Sequence, residues 1–352
     1  MEIPKKTVCI DTKIEREGLV FYDIDDAPIR IHGVYREGEQ YVRMPREIAK
    51  TVSDGVGNLC MHTTGGRVRF VTDSPYIAIS IRVRNFSKFS FFPLSGTVGC
   101  DLYGGTRYFG TFYPPLDVTN TYESVVDIFD PAEREYTVNM PLYSAVEQMY
   151  IGIKEGSVLK AAPDYANAKP VVYYGSSITH GGCASRPGNN YESIIGRQYG
   201  YDFINLGFAG CAKGEEEIAH YIAGLDMTAF VYDYDHNAPT VEYYRQTHER
   251  MFKIIRAAQP TLPIIMMSRP KYYLSPEEQE RVAVMLQTYE NAVAAGDSNV
   301  YYIRGCDLLS EDIRESALVD NCHPGDAGFA SIARVLGQKL SDILSDRMSG
   351  IQ

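Results

Sequence analysis

Near residue 165 the hydrophobic pattern changes its period, and this divides what the chain can fold into. Before that point apolar and polar residues alternate, as at 66–71 and 76–83, which is the period of a strand with one buried face. Turn formers punctuate the alternation: Thr64-Gly65-Gly66, Asp73-Ser74-Pro75, Gly104-Gly105 and Pro114-Pro115. Many short strands with regular punctuation predict a β-sandwich of the jelly-roll kind over residues 1–165. The aromatic-rich stretch 87–92 fits either a core strand or an exposed platform. Residues 161–170, polar and proline-bracketed, read as a linker.

From 170 to 352 the apolar residues come in continuous runs, at 171–174, 203–206, 229–232, 264–267 and 300–303. Runs of this length without alternation fit parallel strands covered on both faces. Between them lie helical segments. At 240–258, Val241, Tyr244, His248, Met251, Ile255 and Ala258 recur by threes and fours, with Thr240 as a cap and Pro260 as a stop. Ser275-Pro276-Glu277-Glu278 spells a capping box with proline in the first turn. A last helix is expected from about Asp326 to Leu344. The alternation of strand and helix predicts a three-layer α/β/α domain around a five-stranded parallel sheet.

Composition narrows the function classes. The chain of 352 residues is long enough for two domains. Its formal net charge of -11 comes with no Lys/Arg-rich stripe, which argues against a nucleic-acid partner and against anionic membranes. No apolar run approaches the ~20 residues needed to span a bilayer, and the start at Met1-Glu2-Ile3 has no signal-peptide core behind it, so a cytoplasmic chain is expected. Seven scattered cysteines without a C-x-x-C pair read as free thiols rather than a disulfide framework or zinc ribbon. His32, His62, His220 and His248 form no metal spacing. Neither a metal nor an organic cofactor is expected.

In an open parallel sheet, ligands bind beyond the carboxyl ends of the strands. Gly175-Ser176-Ser177-Ile178-Thr179 follows the first run, where a serine can point its hydroxyl into the crevice, although a serine-rich turn or cap would read the same. Asp320-Asn321-Cys322-His323-Pro324 precedes the last helix; an acid three residues before a histidine can hold the imidazole in the tautomer that accepts a serine proton. An Asx turn with an incidental histidine is the alternative. Asn205-Leu206-Gly207-Phe208-Ala209-Gly210 follows the second run and offers open backbone N–H groups. Asn237 follows the third and offers a side-chain amide. For these two, a simple loop glycine and a turn-forming asparagine are the alternatives. Taken together the four fragments offer the parts an acyl-transfer site needs: a nucleophile, a base, an acid and oxyanion donors.

The order of these blocks along residues 170–345 resembles the SGNH (GDSL-type) hydrolase superfamily. The resemblance implies a flavodoxin-like fold, with Ser177 as nucleophile and Asp320 and His323 as acid and base. It implies an oxyanion hole made of the Ser177 and Gly210 N–H groups and the Asn237 amide, Gly207 being the second choice for the glycine. The family's G-D-S reads Gly175-Ser176-Ser177 here, and its G-x-N-D keeps only Asn237. Gly99-Cys100-Asp101-Leu102-Tyr103 is similar to the G-x-D-L-Y signature of a β domain that precedes some members, and 184–191 is similar to the S-R-P-G segment of that subgroup. The layout also looks like carbohydrate esterases that pair a jelly roll with an SGNH domain.

The resulting expectation is a serine esterase that removes short acyl groups, acetyl on a carbohydrate above all, with a small-molecule or oligosaccharide ester as partner. A thioesterase or lipase-type acylhydrolase would keep the same residues with another substrate. A non-catalytic carbohydrate-binding protein, built on the tyrosine-rich first half, is the reading from another class. Candidate substrate contacts are His180, near Ser177 in sequence and otherwise a surface residue; Arg186, which would hold a substrate oxygen or pair with an acid; and Asp101 and Tyr103, which would reach the crevice or stabilise the contact between the halves.

Overall fold

The computed structural model describes residues 6–349. The start Met1–Lys5, on which the expectation of no signal peptide rests, lies outside the described residues. The fold divides into two units. One comprises 6–43, Met61–Tyr165 and Ser185–Gly188; the other comprises Met44–Cys60, Ala166–Ala184 and 189–349.

The alternating half contains two helices that its period did not suggest, α1 (Arg46–Val52) and α2 (Asp54–Leu59), and both belong to the second unit. Their local signals are Pro45 at the entry of α1 and Ser53, whose hydroxyl accepts the Val56 N–H and so caps α2.

In the first unit β1 (Thr7–Val8), β2 (Leu19–Asp23), β3 (Arg30–His32), β4 (Tyr35–Glu37), β5 (Gln40–Val42), β6 (Arg67–Thr72), β7 (Tyr76–Arg84), β8 (Cys100–Gly104), β9 (Arg107–Phe112), β10 (Thr121–Asp127), β11 (Arg134–Asn139) and β12 (Ala145–Lys154) follow one another. A short helix, α3 (Leu94–Thr97), interrupts them. β4 and β5 pair as a separate antiparallel ribbon, and the other ten strands make two antiparallel five-stranded sheets, in the orders β1-β2-β12-β7-β10 and β3-β6-β11-β8-β9. The period-2 pattern supplies the core between them. From β7 come Ile77, Ile79, Ile81 and Val83; from the facing sheet come Val68, Phe70, Leu102, Tyr136 and Val138. Each such side chain contributes roughly 1.5–3 kcal/mol on burial. The stretch 87–92 forms no strand. Its phenylalanines cluster instead, with Phe89 and Phe91 partly open and Phe92 buried against the Tyr143 ring. The expected linker begins anchored: Arg69 sits 3.9 Å over the Tyr165 ring.

The second unit holds β13 (Val171–Gly175), β14 (Phe203–Gly207), β15 (Ala229–Asp233), β16 (Ile264–Met267) and β17 (Val300–Ile303). They form one parallel sheet in the order β14-β13-β15-β16-β17. This is the doubly wound 2-1-3-4-5 order, in which the chain reverses direction beside the first strand and leaves a crevice at the carboxyl ends. The helices fall into two packed groups. α4 (Tyr191–Tyr199) lies with α8 (Asp326–Ser349), and α5 (Glu216–Ala223) lies with α6 (Val241–Ala258), which in turn meets α7 (Pro276–Ala294). The caps read from sequence are present. Thr240 accepts from the Tyr243 N–H, and Ser275 and Glu278 form both halves of the capping box. Among the described residues no helix is long and apolar enough to cross a membrane.

Candidate active site

Ser177 stands in the turn that leaves β13. That turn is held from behind by buried groups far away in sequence. The Thr179 hydroxyl donates to Asp233 Oδ1 at 2.6 Å and accepts from the Tyr191 hydroxyl at 3.1 Å. Burial pushes the Asp233 carboxyl up to about 8, against the pull of the Thr179 bond. The Asn205 amide donates to the Thr179 carbonyl at 2.6 Å and to Glu192 at 3.1 Å. Thr179, Asp233, Asn205 and Glu192 are buried, and their spacing along the chain carries no sign of their pairing.

At the other end of the chain, Asp320 and His323 sit on a tight loop. Asn321 adopts φ 62°, a left-handed conformation that asparagine tolerates. Asp320 Oδ1 accepts the N–H groups of Cys322 and His323 at 3.2 and 2.8 Å, an Asx turn that serves the geometry instead of replacing it. The loop is pinned at its base, where the Val319 N–H meets the His323 carbonyl at 2.8 Å. Partial burial raises the Asp320 carboxyl, but the bonds from His323 and Cys322 outweigh it and hold it below the usual carboxylate range.

The two ends meet. Ser177 Oγ lies 2.7 Å from His323 Nε2, and His323 Nδ1 lies 2.8 Å from Asp320 Oδ2. With the carboxylate accepting from Nδ1–H, the Nε2 lone pair faces the serine hydroxyl. The arrangement is a hydroxyl, a base within hydrogen-bond reach and an acid that orients the base.

Residues 168–341 match the GDSL-like lipase/acylhydrolase family, and residues 19–159 match the N-terminal domain of SGNH-hydrolase-type esterases that carries the GxDLY motif. The chain belongs to the SGNH/GDSL hydrolase family. Among solved structures it is similar to a protein described as a GDSL-like lipase from Bacteroides ovatus, at 25% identity and a TM-score of 0.83 over 93% of this chain and 98% of that one. It also shares its fold with the salicylyl-acyltransferase SsfX3 from a tetracycline biosynthetic pathway (19% identity, TM-score 0.75, 94% and 98% covered). A third likeness of fold is to a family two carbohydrate esterase from Clostridium thermocellum in complex with cellohexaose (12% identity, TM-score 0.60, 90% and 99% covered). No curated protein matches the chain in sequence.

For this SGNH hydrolase the two candidate glycines separate clearly. Gly207 is buried and its N–H donates to Asn205 Oδ1 at 2.9 Å; a Cβ there would lie 2.3 Å from the His180 backbone nitrogen. Gly210 is exposed at φ +72°, a Cβ would meet nothing within 4 Å, and its N–H has no partner among the described residues. Gly210 therefore has the geometry of a donor and Gly207 that of a packing residue. Gly210→Ala is expected to lower kcat/KM about tenfold and the melting temperature by about 2–8 °C, since an L side chain resists this conformation by roughly 1–2 kcal/mol and the N–H swings away. Unchanged kcat/KM would remove Gly210 from the site. The Asn237 amide donates one N–H to the Phe208 carbonyl at 3.1 Å, which fixes its plane and leaves its second N–H.

The other candidates are engaged elsewhere. His180 is fully buried, not a surface residue; its Nδ1 accepts the Ala209 N–H at 3.3 Å and so supports the loop that carries Gly210. Asp101, Tyr103 and Arg186 all lie in the first unit. Asp101 is fully buried and accepts from Asn139 Nδ2 and the Gly188 N–H, both at 2.8 Å, so no atom of it is open to a substrate. Arg186 donates to the Tyr103 hydroxyl at 2.9 Å, faces Asp101 at 3.3 Å and lies 4.2 Å over the Tyr108 ring. Of its two readings, the pairing with an acid is the one seen. Among the described residues no group of three or more His, Cys, Asp or Glu side chains is arranged to hold a metal ion.

Proposed function

We propose that this SGNH hydrolase is a serine esterase that removes short acyl groups, acetyl foremost, from carbohydrates. The observation that carries the reading is the continuous relay from Ser177 Oγ through His323 to Asp320, at 2.7 and 2.8 Å. Ser177 Oγ attacks the ester carbonyl as its proton passes to His323 Nε2. Asp320 stabilises the imidazolium. The N–H groups of Ser177 and Gly210 and the Asn237 amide hold the oxyanion. The tetrahedral adduct breaks its bond to the alcohol, which leaves with the proton from Nε2. Water then attacks the acyl-serine, gives its proton to Nε2, and the carboxylic acid departs as that proton returns to Oγ. One ester and one water become one acid and one alcohol.

A short acyl group is supported by the surface of the second unit. Among its described residues the exposed large apolar side chains are Tyr273, Val293 and Val319, far less than a long acyl chain would need to cover it. An assembled relay also argues against a binding protein that has lost its chemistry. The sugar alcohol is supported by the likeness of fold to a carbohydrate esterase. The test is a panel of acetylated oligosaccharides, read by the mass lost as acetyl, beside aryl acetate, butyrate and octanoate. Acetate release from a saccharide, with aryl acetate turned over faster than octanoate, is expected. Faster octanoate turnover would overturn the short-acyl assignment, and aryl acetate hydrolysis with every saccharide left intact would overturn the sugar.

A further inference from the structure

Asn237 sits on a short loop after β15 that two buried guanidinium groups grip from α7 and from the end of β16. Arg281 Nη1 donates to the Asp235 carbonyl at 2.7 Å and to the Ala238 carbonyl at 2.8 Å, one on each side of Asn237. Its remaining nitrogens meet Glu277 Oε1 at 2.8 and 3.3 Å. Arg269 Nε donates to Asp235 Oδ2 at 2.8 Å, and its Nη1 donates to Glu278 Oε1 at 2.6 Å. Glu278 is fixed in turn by the capping box, through the Ser275 N–H at 2.7 Å. Both arginine side chains are only 7% exposed.

A buried ion pair is weak stabilisation, because apolar residues of the same volume often serve folding as well. What the guanidinium supplies that an apolar side chain cannot is directed hydrogen bonding to several acceptors from one rigid plane. Here those acceptors belong to the residues around Asn237. Besides these grips the loop has its own turn bond, Asn237 N–H to the Tyr234 carbonyl at 3.0 Å, the bond of the Asn237 amide to the Phe208 carbonyl at 3.1 Å, and a contact of His236 Nδ1 with Cys322 Sγ at 3.6 Å. Of all these, only the Arg281 bonds hold the backbone on both sides of Asn237 at once. An oxyanion donor is effective only when held within a few tenths of an ångström of its position, and a misplacement of 1 Å can cost about a hundredfold in rate.

We infer that Arg281, backed by Arg269, is a positioning residue that sets the direction of the Asn237 amide in the oxyanion hole. The inference rests on the serine-esterase reading. Arg281 touches neither substrate nor nucleophile, and acts through the backbone at Asp235 and Ala238.

The decisive experiment is a double-mutant cycle in the full chain, with aryl acetate as substrate and active sites counted by a fluorophosphonate probe. Arg281→Lys keeps the charge and the stem but loses the planar fork. Its kcat per titrated site is expected to fall about tenfold with KM within about twofold, the pattern of an interaction made only in the transition state. In an Asn237→Ala background the same change is expected to cost nothing further, since the donor it positions is gone. Should the two losses multiply, or should kcat per site stay unchanged in Arg281→Lys, the inference fails. Arg269→Gln supplies the same cycle if Arg281→Lys does not fold. An active Ser177→Ala would instead sink the underlying esterase reading, so the two failures are distinguishable.

Discussion

Ser177→Ala is expected to lose hydrolysis of an aryl acetate by a factor on the order of 10⁴ or more in kcat, with a melting temperature close to that of the parent. The large effect follows from the division of labour in the relay. The alanine variant has no atom to form the acyl intermediate, and His323 has no proton to take. What survives is the stabilisation of water attack by the oxyanion donors, which is why activity falls steeply and does not reach the uncatalysed rate. The small stability effect follows from the position of Ser177, which is only partly buried, in a turn whose backbone is held by Thr179, Asp233 and Asn205. His323→Ala should cost about as much as Ser177→Ala, and the double variant little more, because the two act as one unit. The check is kcat for the three variants with circular dichroism melts alongside. Turnover within tenfold of the parent in Ser177→Ala would remove the nucleophile from the proposal.

Why this pair of sequence fragments could be read at all is a matter of local geometry. Asp320 and His323 are three residues apart, so their meeting needs one turn and no knowledge of the rest of the fold. The five apolar runs carry their strand character in themselves. The 2-1-3-4-5 order that brings their ends together is expected only through the flavodoxin-like fold that the family resemblance implies, since handedness rules for parallel sheets allow other orders as well. The groups that steady the site were not legible in the same way. Thr179 and Asp233 are 54 residues apart, and Arg281 and Asp235 are 46 apart. Nothing in either neighbourhood marks one as the partner of the other. Arg186 left two readings open for a related reason: its partners Asp101, Tyr103 and Tyr108 stand on strands far upstream, and nothing beside Arg186 in the sequence names them. His180 lies three residues from the nucleophile, and its burial could not be read from that proximity. The helices at 46–59 escaped because a short helix packed on a distant one, here α5, leaves almost no periodicity of its own.

Acidification is expected to destabilise both units between pH 6.5 and 5, and buried histidines are the cause. Burial lowers His62 to about 3, reinforced by the charge of Arg43; burial lowers His248 to about 3; burial, with Arg269 and His323 adding repulsion, lowers His236 to about 4. A histidine takes up its proton near 6.5 when unfolded. Between those values the unfolded chain binds protons that the folded chain refuses, so stability is complete above 6.5 and is lost as the pH falls. Over 1.5 pH units each group costs about 2 kcal/mol, at about 1.36 kcal/mol per unit. Asp233 works the other way. Its carboxyl, raised by burial to about 8, keeps a proton that the unfolded chain releases above the ordinary carboxylate range, and this contributes about 2 kcal/mol in the opposite direction over the same interval. His62 lies in the first unit, with His236, His248 and Asp233 in the second. His62 is unopposed among these groups in the first unit and leaves a net loss of about 2 kcal/mol there. In the second unit Asp233 and Glu215, whose carboxyl burial also raises, oppose the two histidines, so the net loss is at most about 2 kcal/mol. For units of this size a loss of about 2 kcal/mol is a fall of roughly 4–8 °C in melting temperature. Calorimetric melts at pH 6.5 and 5 test it, and His248→Gln identifies the source. That variant keeps a polar group facing the Thr288 hydroxyl, now 2.8 Å from His248 Nδ1, and should flatten the pH dependence of the second unit's transition. A melting temperature that holds steady or rises toward pH 5 would mean that these imidazoles take up their protons while the fold is intact.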